Sequence, residues 1–378
     1  MNRKTIGLLV TAVALIGMLI VGCAPAATPT TPTTPTTPTT PTTPTTPTTP
    51  TQPAAQKIEF KIQTSFDAAN PAHVWGAKLC ENVTTASGGR LVFTPFTGGS
   101  IVPATKEMDA IDLGTVDGTF TCTMYNLDKW PEAGLFSARP TGIPADGVPI
   151  WFDAWGTDFV NRMVQGYDVI AIRGVTPQPA ETWCHSKKEL KSLADIKGLK
   201  IRTAGDGGEI LTRMGASVVF MPGGELYEAM QRGVIDAFEY SNPAVDWPMG
   251  FQEVAKYQAM SSTRAPSDPL VFYLKKSKYD KLTPDLKAII ENCCQATTRQ
   301  HQTTIDATVL EAYGKFKAYG TVQYHLPKDI EAEITKVAKA FYDEKANTAS
   351  PLYKEILASQ RTFLADWITF AALQTPQA

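Results

Sequence analysis

Two charged residues follow apolar residues at predicted strand ends, and they indicate which chemistry this chain could perform. Arg202 ends the segment GLKIR at 198–202, where a guanidinium can hold a carboxylate through two parallel hydrogen bonds. A surface arginine would fit this pattern nearly as well. Glu239 follows Phe238, and burial there would require a cation or a hydrogen-bonding partner. Glu239 could therefore pair with Arg202 or hold a metal ion.

Further candidates for a binding site are aromatic or polar residues close to predicted strand ends. Tyr125, Trp183 and Tyr240 are suited to line a pocket, although each could equally be a core residue. Asn242 follows the same predicted strand as Glu239. Trp247 is a further aromatic residue of this kind. Of these residues, Tyr125, Trp183 and Asn242 are predicted to bind the substrate together with Arg202.

Catalytic patterns are missing from the sequence. The four histidines, His73, His185, His301 and His325, lie in no nucleophile–base motif, and neither Gly-x-Ser-x-Gly, HExxH nor a phosphate-binding loop occurs. Cys184 and His185 are neighbours, but adjacent residues rarely face each other. The six cysteines include no CxxC pair, so a structural zinc site is not indicated. We therefore expect no enzyme and no catalytic residues.

Strand and helix signals alternate through the middle of the chain and predict an α/β fold. A β-α-β-α-β pattern runs from 58 to 121, and a similar pattern runs from 199 to 240. Within them, 109–118 parallels 228–237: each is a helix end, a glycine and a strand with aspartate at its start. The repeat predicts two similar lobes with a ligand cleft between them, at 122–126 and 239–242, beyond the carboxyl ends of the strands.

The N-terminus predicts secretion and a lipid anchor. Arg3 and Lys4 precede an apolar run that ends in Ile20-Val21-Gly22-Cys23, which is typical of a lipoprotein signal peptide with Cys23 as the lipidated residue. The alternative is a membrane-spanning anchor, for which the run is short. Thr-Pro-Thr repeats then predict an extended stalk. The predicted division is signal peptide 1–22, stalk 23–55, lobe I 56–175, lobe II 176–270 and a helical region 271–378 that packs across both lobes.

Charge and the C-terminal pattern limit the partners. The net charge of −2 does not favour a nucleic-acid partner. Phe363, Trp367 and Phe370 form one apolar stripe on the last predicted helix. This stripe could pack on the protein itself or form a homodimer contact.

The segment 198–257 carries a family resemblance. Its elements GLKIR, GGELYEAMQRGVIDAFE and GFQEVAKY, together with SGGRL near residue 88 and GLF near residue 135, resemble the DctP-type receptors of TRAP transporters. The resemblance covers essentially all of the chain after the stalk and is greatest to the branch that binds 2-oxoacids and lactate. It implies a two-lobed periplasmic-binding-protein-like fold, a monocarboxylate ligand and a sodium or calcium ion beside it.

The resemblance also assigns residues. It implies that Arg202 binds the substrate carboxylate, that Glu239 and the backbone carbonyl of Tyr240 bind the metal ion, and that Gln178 touches both. The chain departs from the family pattern at 263–266, where Arg264 and Ala265 replace a stretch that often carries a glutamate. Asp268 could compensate for the missing acid. This departure puts the metal ion and the identity of the ligand in question.

The sequence thus predicts an extracytoplasmic, lipid-anchored solute-binding protein. It would deliver a 2-oxo or 2-hydroxy monocarboxylate to the large and small membrane subunits of a TRAP permease. The alternatives are a receptor for an ABC importer, a ligand sensor and a stalked extracellular enzyme that uses Cys184 or His185.

Overall fold

A computed structural model describes residues 57–374 of the chain, so the predicted signal peptide, the stalk and Cys23 lie outside the described residues. Strands and helices alternate along the described part. The strands are β1 Ile58–Thr64, β2 Leu91–Phe96, β3 Gly118–Cys122, β4 Val169–Thr176, β5 Thr182–Ser186, β6 Lys200–Arg202, β7 Ser217–Val219, β8 Ala237–Phe238, β9 Tyr257–Met260, β10 Leu270–Lys275 and β11 Val322–His325.

The helices vary from single turns to a helix of 36 residues. They are α1 Pro71–Ala86, α2 Glu107–Leu113, α3 Val148–Trp151, α4 Thr157–Met163, α5 Asp206–Arg213, α6 Leu226–Gln231, α7 Pro243–Asp246, α8 Phe251–Val254, α9 Lys276–Tyr279, α10 Pro284–Tyr319, α11 Lys328–Thr348 and α12 Pro351–Gln374. No helix among residues 57–374 is long and apolar enough to cross a membrane.

The first lobe is built on a five-stranded sheet in the order β2-β1-β3-β10-β4. The strands β1, β2 and β3 are parallel and are joined by α1 and α2, whereas β10 runs antiparallel to both β3 and β4. Asn70 caps α1 by accepting the backbone N–H of Ala72, and the face of α1 that carries Leu79 and Val83 is buried against the sheet. The predicted α/β class is confirmed.

The second lobe is built on a six-stranded sheet in the order β11-β9-β5-β8-β6-β7. Its β6, β7 and β8 are parallel, which corresponds to the second predicted repeat. Both predicted glycine caps are confirmed: Gly114 ends α2 with a φ of 80° and Gly233 follows α6 with a φ of 73°. Glycine adopts the left-handed backbone conformation without steric cost, so each helix can end at its glycine and the chain can turn into the next strand.

Two segments that cross between the lobes lie side by side. Residues 177–181 lead from β4 to β5, and residues 261–269 lead back from β9 to β10. The backbone N–H of Glu181 donates to the carbonyl of Ala265 at 3.1 Å, and Ser267 Oγ donates to the carbonyl of Gln178 at 2.7 Å. Polar residues on these two segments therefore stand next to each other at the base of the cleft.

The C-terminal residues do more than form helices. Strand β10 at 270–275 lies inside the first sheet, and β11 joins the edge of the second. The antiparallel placement of β10 depends on long-range pairing, so the local pattern did not predict it. Helix α10 contacts the first lobe through Cys294, whose thiol donates to Gly174, and the second lobe through Ile305, which packs with Val245. One helix therefore touches both lobes.

Candidate functional site

The cleft contains two small cavities where the lobes meet, with volumes of about 20 and about 40 Å³. Phe66, Tyr125 and Tyr240 line both of them. Gln178 and Asp268 line the smaller cavity, and Arg202 lines the larger. Four of the residues predicted from the sequence, namely Arg202, Gln178, Tyr125 and Tyr240, are thus brought to one place.

Arg202 is held in a fixed orientation at the end of β6. Its Nε donates to the carbonyl of Met221 at 2.9 Å and its Nη1 to the carbonyl of Glu239 at 2.7 Å. The guanidinium lies between the rings of Phe220 and Tyr240, 5.3 and 5.8 Å from their centroids. Nη2 has no acceptor among the described residues, so the cleft presents an oriented cationic donor.

Glu239 lies directly behind Arg202 and is 1 % exposed. Its Oε1 accepts the backbone N–H of Ala204 and is 3.4 Å from Arg202 Nη1. Burial raises the pKa of Glu239, and the nearby Arg202 opposes that shift. Glu239 is therefore the acid that pairs with Arg202, which is one of the two roles expected from the sequence.

Arg264 brings a second guanidinium to the same carboxylate. Its Nη2 is 3.1 Å from Glu239 Oε2 and also contacts Glu181 Oε2, and all three side chains are almost fully buried. Burial lowers the pKa of Arg264 to about 9, so the side chain stays charged near neutral pH. Asp268 is held by neutral donors instead: Ser137 Oγ at 2.5 Å and Cys122 Sγ at 3.1 Å.

Gln178 is positioned by helix α10. Its Nε2 donates to His301 Nε2 at 2.7 Å, and the His301 ring packs against Trp75 with 5.1 Å between centroids. Burial lowers the pKa of His301 to about 4, so the ring is neutral and its nitrogen can accept this bond. The amide carbonyl of Gln178 remains available to the cleft.

Tyr240 connects the two lobes across the cleft. Asn70 Nδ2, at the start of α1, donates to the hydroxyl of Tyr240 at 2.9 Å. Tyr125 of the first lobe approaches Phe220 of the second, with 6.4 Å between ring centroids. These contacts join the lobes directly over the Arg202 cavity.

Two predicted substrate-binding residues do not reach the cleft. Trp183 is 1 % exposed and packs in the main hydrophobic core together with the adjacent Cys184. Asn242 is fully buried and caps α7 by accepting the backbone N–H of Ala244 at 3.1 Å. Each residue follows a strand or lies in one, but neither lines either cavity.

Sequence reasoning missed three residues at the site, which are Glu181, His301 and Asn70. Glu181 precedes the Thr182–Ser186 strand, which is buried throughout but contains Thr182, His185 and Ser186, so no apolar run marked the acid. His301 lies 123 positions from Gln178 in the sequence, and no local pattern connects them. The sequence around Asn70 indicates a helix cap, but it does not indicate the contact of Asn70 with Tyr240.

The fold and the cleft define a two-lobed solute-binding protein: two α/β lobes, paired crossing segments and a buried polar pocket between them. The chain belongs to the family of bacterial extracellular solute-binding proteins, family 7 (DctP), whose model matches residues 64–348. The resemblance seen in the sequence is confirmed.

Similar proteins whose ligands are named are also periplasmic solute-binding proteins. A monocarboxylate 2-oxoacid-binding periplasmic protein from Nostoc sp. is 26 % identical over 308 residues, which cover 81 % of this chain and 84 % of that protein. A TRAP periplasmic solute-binding protein from Colwellia psychrerythraea, solved with calcium and pyruvate, is 24 % identical with a TM-score of 0.80 over 84 % of this chain and 97 % of its own. One from Pseudoalteromonas atlantica, solved with sodium and pyruvate, is 24 % identical with a TM-score of 0.78 over 85 % and 100 %.

The sequence predicted a sodium or calcium ion beside the ligand. The two solved neighbours contain such an ion, calcium in one and sodium in the other, together with pyruvate. In this chain both oxygens of Glu239 already have partners: Oε1 accepts the backbone N–H of Ala204, and Oε2 lies 3.1 Å from Arg264 Nη2. Among residues 57–374, no group of three or more His, Cys, Asp or Glu side chains is arranged to hold a metal ion. The metal-binding roles of Glu239, Tyr240 and Gln178 stay predictions.

Proposed function

We propose that this protein captures a small 2-oxo or 2-hydroxy monocarboxylate in the cleft and delivers it to the large and small membrane subunits of a TRAP permease. The observation that carries the proposal is Arg202 Nη2, a cationic donor that lines the cleft cavity and has no acceptor among the described residues. A carboxylate is the acceptor that matches an oriented guanidinium.

The neighbouring groups suit the rest of such a ligand. Tyr125, Tyr240 and Phe66 give the cavities aromatic walls, and Gln178 adds an amide at one side. A 2-oxo or 2-hydroxy group beside the carboxylate would find polar partners there, while a small apolar tail would face the rings. The Nostoc relative and the pyruvate-bound neighbours support this ligand class.

Binding would work by bringing the two lobes together. Asn70 and Tyr240 join opposite sides of the cleft, and the paired crossing segments carry Gln178 next to it. A ligand that contacts both lobes favours the closed arrangement, and the permease can then recognise that arrangement. No bond is made or broken in this cycle, so we propose a receptor and not an enzyme.

We also propose the predicted division of the chain into signal peptide 1–22, stalk 23–55, lobe I 56–175, lobe II 176–270 and C-terminal region 271–378. Lipidation at Cys23 would anchor the chain on the outer side of the cytoplasmic membrane or on another extracytoplasmic membrane face. The mass of the N-terminal peptide of the mature protein tests this, because a diacylglyceryl group on Cys23 adds a large and defined increment.

A homodimer through the last helix is proposed on its exposed apolar side chains. Ile368, Phe370 and Leu373 of α12 are 58, 59 and 78 % exposed. Single exposed apolar residues are ordinary, but Phe370 and Leu373 lie three positions apart on one face of the helix and leave an apolar surface that a second copy could cover.

Isothermal titration calorimetry of Arg202 variants tests the ligand proposal. We expect Arg202→Ala to weaken binding of pyruvate, lactate or a longer 2-oxoacid by roughly tenfold to a hundredfold, because a hydrogen bond from the free Nη2 to a charged group contributes about 1.5–3 kcal/mol. Arg202→Lys should restore only part of that, since a lysine cannot donate in the same planar geometry. The matched control is Arg232→Ala, which removes an exposed guanidinium from the same lobe. Unchanged affinity in Arg202→Ala would contradict the proposed role.

A further inference from the structure

Arg264 occupies the position that a metal ion would need in order to bind Glu239. Its Nη2 lies 3.1 Å from Glu239 Oε2, and the other oxygen, Oε1, already accepts the backbone N–H of Ala204. Calcium binds carboxylate oxygens at about 2.3–2.6 Å. An ion at that distance from Oε2 would be in contact with a buried guanidinium of the same sign of charge, which is strongly unfavourable away from water.

Two guanidinium groups face the buried carboxylates around Glu239. Arg202 pairs with Glu239, and Arg264 contacts both Glu239 and Glu181. Asp268 also lies nearby, where the hydroxyl of Ser137 and the thiol of Cys122 donate to it. Without Arg264, the carboxylates of Glu239 and Glu181 would have one guanidinium group near them, that of Arg202, in place of two.

Arg264 also retains unused donors. Its Nε, Nη1 and Nη2 are all buried and make no hydrogen bond among the described residues, so its contacts with Glu181 and Glu239 are contacts between charges. Buried donors without a partner are uncommon in folded proteins and costly to keep. Arg264 lines neither cavity, so it would act on a bound anion through Glu239 and Arg202 and not by direct contact.

We propose that the Arg264 guanidinium supplies the positive charge that sodium or calcium supplies in the solved neighbours, so that this protein binds its organic acid without a metal ion. The inference rests on the proposed function for the identity of the ligand. It makes Arg264 a positioning residue: the guanidinium holds Glu239 in place, and Glu239 in turn faces Arg202 on the cavity wall.

The test is calorimetry on the full chain after dialysis against EDTA, with calcium chloride alone, sodium chloride alone and pyruvate as separate titrants. For the wild type we expect no binding of calcium alone. We expect the pyruvate affinity to change by less than about twofold between EDTA, sodium and calcium. The reason is that pyruvate binding is not coupled to the binding of an ion.

The variant Arg264→Met keeps the unbranched apolar stem of the side chain and removes the guanidinium group and its charge. In EDTA we expect its pyruvate affinity to fall by about tenfold or more, since breaking a buried charge pair leaves its partner unpaired. Millimolar calcium should restore much of that affinity, and calcium alone should now bind and raise the unfolding temperature. Arg232→Met is the matched control and should behave as the wild type in every titration.

Binding of calcium alone to the wild type, or a pyruvate affinity that rises more than about tenfold with either cation, would overturn the inference. Wild-type affinity for pyruvate in Arg264→Met in EDTA would overturn it as well. If Arg264→Met does not fold, the wild-type titrations decide by themselves. If pyruvate binds under no condition, the proposed ligand fails, while the titration with calcium alone still decides whether this chain binds the metal.

Discussion

Replacing Asp206 by asparagine should change how the stability of this protein depends on pH. Asp206 is the first residue of α5 and is 8 % exposed. Charged or titratable side chains face it from three directions: Arg139 of the first lobe, Tyr342 and Lys345 of α11, and Glu209 of its own helix. Burial nevertheless dominates and raises the pKa of Asp206 to about 6 from 3.8.

The sign of the effect follows from proton binding. Between about pH 4 and pH 6 the folded protein holds a proton on Asp206 that the unfolded chain has lost, so the free energy of unfolding falls as pH rises through this window. The stabilisation is complete below pH 4 and lost above pH 6. A difference of about two pH units corresponds to about 3 kcal/mol, or roughly 6 °C in unfolding temperature for a chain of this size.

The assay is thermal unfolding at half-unit intervals from pH 4 to pH 7.5, followed by circular dichroism. We expect the difference in unfolding temperature between wild type and Asp206→Asn to shift by roughly 6 °C across the window, with the wild type relatively more stable at pH 4. Asp366→Asn removes an exposed carboxylate on α12 and is the control. A pH-independent difference, or a wild type that is relatively less stable at pH 4, would refute the reasoning and indicate an ionised Asp206 paired with Arg139.

Two smaller predictions concern closure and assembly. Tyr240→Phe removes the hydrogen bond from Asn70 that joins the lobes and should weaken pyruvate binding by about fivefold, corresponding to about 1 kcal/mol, while Asn70 still caps α1. A calorimetric affinity equal to that of the wild type would show that this bond does not stabilise the closed form. Phe370→Glu should shift a dimer to monomer in sedimentation equilibrium, because a charge on α12 cannot be buried at an apolar contact. Identical sedimentation of both proteins would argue against a dimer through this helix.

Much of the architecture was predictable because it depends on local signals. The parallel units around β1 to β3 and β6 to β8 follow from alternating apolar patterns and from glycines at helix ends, which act within a few residues. The placement of β10 was not predictable in the same way. It enters the first sheet between β3 and β4, and both partners are distant in sequence.

The residues of the site also divide into those that local sequence signals predict and those that only long-range contacts place. Arg202 and Glu239 were predictable as site candidates because a charged residue at the end of an apolar strand must either reach a polar cleft or be paired. The family resemblance added Gln178. The placement of Trp183 in the core was not predictable, because every residue of β5 is buried and no local pattern distinguishes a core tryptophan from one that lines a pocket.

The sequence by itself determined the class of protein and the cationic residue at the cleft, since strand patterns, helix caps and the residues 198–257 are local properties. Only the tertiary structure decided what surrounds that residue. It brings Arg264, from one crossing segment, into contact with the carboxylates of Glu239 and Glu181, and it sets His301 of α10 against Gln178. The physical reason is that the balance of buried charge depends on which side chains meet in space. Residues as far apart in the sequence as Gln178 and His301, 123 positions, acquire that relation only when the lobes have folded.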